Sequence, residues 1–148
     1  MKAVSPIDGK SKLLKNVNDE AFASKMMGDG IAVVPSNGML YAPVSGEVTM
    51  VFPTNHALGI KSEDGIEILI HIGIDTVELN GKGFTSLVQQ GDFVEIEDKL
   101  IEFDLDLVKA SGYDSDVMII ITNTSDFSSI NYIATDDVNH GDDILEIM

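Results

Sequence analysis

The chain has no cysteine, which removes thiol nucleophiles, thiolate metal sites and disulfides from its chemistry. It has no arginine either: all nine basic residues are lysines, so the chain has no guanidinium fork of its own for gripping a phosphoryl group. Phosphate chemistry here would need a partner that brings the fork. Tryptophan is absent and aromatics are only 6% of the residues, so the core must be built from aliphatic side chains. No apolar run has the length of a membrane span, and the opening Met1-Lys2-Ala3-Val4-Ser5-Pro6 lacks the apolar centre of a signal peptide. A cytoplasmic protein with no direct membrane insertion is predicted. There is no P-loop, no G-x-G-x-x-G after a strand, no G-x-S-x-G elbow and no H-E-x-x-H, and no cofactor is implied.

What is abundant is acid. Twenty-five acidic residues against 9 basic ones give a formal charge of −16, which repels nucleic acid and anionic lipid and calls for basic partners. With 148 residues, 44% of them hydrophobic, a single domain over residues 1–148 can bury a real core.

Glycine and proline punctuate the chain at short intervals, and the segments between are brief and β-branched, the pattern of an all-β antiparallel sandwich or barrel with a few short helical turns. Candidate strands are Gly30 to Pro35, Gly38 to Ala42, Gly46 to Phe52, Val117 to Thr122 (apolar on both faces) and Ile144 to Ile147. Asn18 to Gly28 reads as a short capped helix or helical turns, with Asp19 near its start and Gly28 past its end, and Asp104 to Ala110 as a short helix. Phe22 and Met26, one turn apart, read as core residues on their spacing alone. Ser5-Pro6-Ile7-Asp8-Gly9-Lys10 and Ala42-Pro43-Val44-Ser45-Gly46-Glu47 are alike enough to suggest a duplication, although common turn chemistry also explains them. His140, in the acidic turn from Asp136 to Asp143, reads as a solvated loop residue.

The most informative stretch is Glu67-Ile68-Leu69-Ile70-His71-Ile72-Gly73-Ile74-Asp75, with isoleucine at every even position. Burying the isoleucines turns His71 to the other face. Ser62-Glu63-Asp64-Gly65 is a turn signal, so His56 to Lys61 and Ile66 to Ile72 should form a hairpin. Closing it with Ser62 against Gly65 sets Leu58 opposite Leu69 and His56 opposite His71, with Thr54 placed to fix the His56 tautomer. In that register Leu58, Ile60 and Leu69 surround the histidines.

Three chemistries suit two exposed imidazoles. One is phosphoryl transfer through histidine, in which one ring is the nucleophile and the other donates a hydrogen bond to the transferred oxygens. Another is a zinc hydrolase with His56 and His71 as ligands and a carboxylate such as Asp75 as the third. The last is a carrier module of the biotin or lipoate type, to which Gly91 to Leu100 bears a resemblance, although no lysine-bearing hairpin tip accompanies it.

Thr54-Asn55-His56-Ala57, Leu69-Ile70-His71-Ile72-Gly73-Ile74-Asp75-Thr76-Val77-Glu78-Leu79 and Gly28-Asp29-Gly30-Ile31-Ala32 resemble the glucose-type enzyme IIA of the bacterial phosphoenolpyruvate-dependent sugar phosphotransferase system. The resemblance runs from about Val4 to Ile147. It implies a β-sandwich in which His71 accepts phosphate from the phosphocarrier HPr and passes it to a sugar-specific enzyme IIB, with no metal and no cofactor. His56 would stabilise the phosphoryl group, Thr54 would orient His56, and the Gly73 carbonyl would hold the other ring nitrogen of His71. Phe22, Met26, Met27 and Phe52 match the family's apolar docking depression, against the core reading of Phe22 and Met26, and Asp19 and Asp75 match its acidic rim. The family's partners present arginine. Some members are regulatory and bind permeases or kinases, and some carry an amphipathic leader that this chain is expected to lack.

Overall fold

The alternation from Ile68 to Ile72 produces the predicted strand: these isoleucines are at most 2% exposed, while Glu67, Leu69 and His71 face the other way. The computed structural model describes residues 1–133 and 136–148. In chain order the strands begin β1 Lys2–Val4, β2 Gly9–Leu13, β3 Asp29–Pro35, β4 Met39–Tyr41, β5 Gly46–Val51, β6 Ala57–Ser62 and β7 Glu67–Ile72. They continue as β8 Phe84–Ser86, β9 Phe93–Val94, β10 Lys99–Phe103, β11 Val117–Ile121, β12 Ile130–Tyr132, β13 Asp137–Val138 and β14 Asp143–Ile147. Helices α1 (Glu20–Ala23) and α2 (Leu105–Ala110) and 3-10 turns at Leu14–Asn16, Thr76–Leu79 and Thr124–Asp126 join them.

All the pairings are antiparallel. An eight-stranded sheet runs β13-β2-β3-β11-β7-β6-β5-β9, and two three-stranded sheets run β1-β14-β12 and β4-β10-β8. The sheets share one aliphatic core that includes Ile31, Leu58, Ile60, Ile68, Ile70, Ile72, Ile119, Ile144 and Leu145, as the expected β-sandwich requires. The β11 run Val-Met-Ile-Ile-Ile is buried throughout. Val117, Ile119 and Ile121 belong to this core, whereas Met118 and Ile120 join a smaller cluster with Leu14, Val17, Phe22, Ala32 and Ile74. That cluster lies on the His71 side of the sheet, under the segment from Leu14 to Ala23.

Helix α1 is much shorter than the stretch predicted over Asn18 to Gly28. Asp19 caps it by accepting from the Ala21 amide at 2.9 Å, but Lys25 adopts a left-handed φ of 63° that ends the helical run. Each Pro-containing hexad is bonded to the residue just ahead of the other: the Val4 amide donates to the Pro43 carbonyl (3.0 Å), and the Tyr41 amide to the Pro6 carbonyl (2.7 Å). The chain ends also meet, with β1 paired to β14 and the Met1 ammonium 3.1 Å from the Ile147 carbonyl.

The hairpin register differs by one residue from the sequence expectation. Ser62 closes against Ile66 rather than Gly65, through an amide-to-carbonyl bond of 2.8 Å. Gly65 occupies the left-handed position of a loop that is one residue longer, with φ of 88°. Ala57 then faces His71 and Leu58 faces Ile70. Leu58 and Ile60 therefore lie in the core at 0% and 1% exposure, not around the histidines. The shift falls on the β6 partner and leaves the β7 face, with its isoleucines inside, unchanged.

Candidate functional site

On β7, His71 stands between Ala57 of β6 and Met118 of β11 in the ladder, with the Phe22 ring centroid 5.1 Å from its own. His56 reaches it by a different route from the one predicted. It lies just before β6, in a turn where the Asn55 amide donates to the Phe52 carbonyl (2.8 Å) and Asn55 has φ of 58°. Outside the regular ladder its side chain escapes strict alternation, and its ring meets His71 edge-on: centroids 4.9 Å apart, planes at 80°. The same turn follows β5, which ends at Val51, one residue short of the expected Phe52. Phe52 packs edge-on against His56 at 5.3 Å.

Hydrogen bonds orient each ring through Nδ1. His71 Nδ1 is 2.8 Å from the Gly73 carbonyl; since a carbonyl only accepts, Nδ1 carries the proton and Nε2 keeps its lone pair. His56 Nδ1 is 2.5 Å from Thr54 Oγ1. Burial pushes the His56 pKa down to about 4, and the neighbouring His71 adds to the effect. Burial also lowers the His71 pKa, opposed by the Gly73 carbonyl and by the carboxylates of Asp19 and Asp75. Both imidazoles are therefore neutral at pH 7, and the acidic pair favours positive charge on His71 only.

The surrounding apolar residues divide in two. Phe22 is 6% exposed and belongs to the smaller cluster, so its core reading holds even as its ring borders His71. Met26, by contrast, is 78% exposed and Met27 39%, which rules out the core reading for Met26. Among the described residues no group of three or more His, Asp or Glu side chains could hold a metal ion, and the zinc-hydrolase alternative has no support. Nor is any helix among them long and apolar enough to cross a membrane.

His140 is not a freely solvated loop residue. Its ring stacks on Tyr41 with centroids 3.9 Å apart, its Nδ1 lies 3.0 Å from Glu97 Oε1, and its amide donates to Asp8 Oδ1 at 2.8 Å. Sequence distance hid these partners. Thr76, also unremarked in the sequence, is fully buried and donates to the Ile72 carbonyl at 2.5 Å. Its place in Gly73-Ile74-Asp75-Thr76, just past a strand, is the type of turn in which hydroxyls bond local backbone, and that signal was available.

A family model described as phosphoenolpyruvate-dependent sugar phosphotransferase system, EIIA 1, matches residues 1–127. The chain is 44% identical over 146 residues to the PTS system glucose-specific EIIA component of Oceanobacillus iheyensis, a match covering 98% of this chain and 88% of the relative. It is 48% identical over 143 residues to the PTS system beta-glucoside-specific EIIBCA component of Halalkalibacterium halodurans, a match covering 97% of this chain but only 22% of that relative's length. Among solved structures, glucose permease IIA from Mycoplasma capricolum is similar, with a TM-score of 0.88, 38% identity, and coverage of 98% of this chain and 94% of that one.

Proposed function

This chain belongs to the EIIA 1 family of the phosphoenolpyruvate-dependent sugar phosphotransferase system, and on that premise we propose that it is a phosphoryl relay in which His71 is the transient carrier. The observation that carries the reading is the His71 Nδ1 contact with the Gly73 carbonyl, which leaves Nε2 as the only ring nitrogen with a free lone pair. Nε2 attacks the phosphorus of a phosphohistidine on the HPr carrier. A bond from Nε2 to phosphorus forms, the donor's nitrogen–phosphorus bond breaks, and its electron pair returns to the donor's ring.

The phosphorylated ring keeps its Nδ1 proton and takes on positive character. The Gly73 carbonyl, Asp19 and Asp75, which oppose the fall in the His71 pKa, offset that charge. In the tautomer where Thr54 donates to His56 Nδ1, His56 presents an Nε2 proton to a phosphoryl oxygen. The remaining phosphoryl charge falls to the partner, since this chain has no arginine. Met26, Met27 and Phe52 form the accessible apolar part of the docking surface, the buried Phe22 ring backs it beside His71, and Asp19 and Asp75 steer HPr and then a sugar-specific enzyme IIB.

Incubation with phosphoenolpyruvate, enzyme I and HPr tests the reading. The wild type is expected to gain acid-labile phosphate on His71 and His71→Ala to gain none; label persisting on His71→Ala would overturn it.

A further inference from the structure

Two successive peptide units meet at Gly73, and each is held at both ends. In the first, the Ile72 carbonyl accepts from Thr76 Oγ1 (2.5 Å) and the Gly73 amide donates to the Asp116 carbonyl (2.8 Å). In the second, the Gly73 carbonyl accepts from His71 Nδ1 (2.8 Å) and the Ile74 amide donates to the Asp114 carbonyl (3.0 Å). Thr76 is 0% exposed. A Cβ at Gly73 would stand 2.4 Å from the Thr76 methyl, so that methyl packs directly against the Gly73 backbone. Gly73 itself holds a φ of 75°, a conformation that needs external restraint, since glycine alone prefers no single well.

We infer that Thr76 is a positioning residue for phosphoryl transfer: through its bond to the Ile72 carbonyl it pins the Gly73 turn, and the pinned Gly73 carbonyl fixes the proton on His71 Nδ1. Thr76 touches neither the phosphoryl group nor the ring. Its effect is on which nitrogen is nucleophilic, so the kinetic consequence rests on the relay reading, while the tautomer consequence does not.

The test compares Thr76→Val, which keeps the shape and removes the hydroxyl, with Thr76→Ser, which keeps the hydroxyl and removes the methyl. In nitrogen-15 spectra of the unphosphorylated protein at neutral pH, the wild type and Thr76→Ser should show His71 protonated at Nδ1, and Thr76→Val a mixture of tautomers. Phosphoryl acceptance from phospho-HPr should fall about tenfold in kcat for Thr76→Val with KM unchanged, less than the roughly 10²-fold cost of a gross misplacement, and recover in Thr76→Ser. Wild-type tautomer populations in Thr76→Val, or a serine variant as impaired as the valine one, overturns the inference. If circular dichroism shows Thr76→Val unfolded, Thr76→Cys, a weaker donor of similar shape, takes its place with the same expectations. Because the spectra need no phosphate, a wild type that fails to take phosphate counts against the relay alone.

Discussion

His56 and His71 meet edge-on with centroids 4.9 Å apart, although Ala57, not His56, is the ladder partner of His71. The pair is made by a turn rather than by strand register. One ring is carried by a strand and the other by the Phe52–Ala57 connection, where Thr54 bonds it.

Replacing His56 with glutamine should therefore leave His71 able to accept phosphate, since Nε2 of His71 remains free. Donation to the enzyme IIB should fall by about 10²–10³-fold, the cost of one lost donor to a developing phosphoryl charge. Single-turnover acceptance and donation measured separately check this; equal losses in both steps would contradict it.

The depressed pKa of His56 makes stability pH-dependent. Above the ordinary value of 6.5 the ring is neutral whether folded or unfolded, and no stability depends on it. As pH falls below 6.5 the unfolded chain takes up a proton that the folded one refuses until about 4, so stability is lost across that window. The loss is on the order of 2–3 kcal/mol. Urea unfolding of wild type and His56→Gln at pH 7 and pH 4.5 should show the wild type losing more stability on acidification.

Leu58→Ala separates the two hairpin registers. In the observed one Leu58 is wholly buried opposite Ile70, and truncation should cost about 2–5 kcal/mol. In the register with Leu58 opposite Leu69 the cost would be a small surface effect, so a shift of under about 0.5 kcal/mol in urea unfolding would argue for that pairing.

Phe22 and Met26 should behave differently despite lying one turn apart in sequence. Phe22→Ala removes a buried ring and should cost about 3–5 kcal/mol of stability. Met26→Ala, at a position 78% exposed, should leave stability within about 0.5 kcal/mol and raise the KM for phospho-HPr. Urea unfolding and phosphoryl-transfer kinetics on the two variants decide it.

The β7 strand, its buried face and the outward-facing His71 were legible because strand alternation is local and the isoleucine repeat is unbroken. The Asp19 cap and helix α2 were legible for the same reason. The hairpin register was not: Gly65 is compatible with either loop length, and only β6 packing into the core decides between them. Phe22 was read correctly from its spacing and Met26 was not, because Lys25 breaks the helix with a left-handed residue that spacing does not reveal. His140 was misread because Tyr41 and Glu97 lie far away along the chain.

The hydrogen-bonded meeting of Met1 and Ile147 has a consequence for architecture. Residues 1 and 147 meet on the β1-β14-β12 sheet, while His71 sits on the eight-stranded one. Where a longer polypeptide carries such a fold, anything else on the same chain meets His71 at a raised effective concentration.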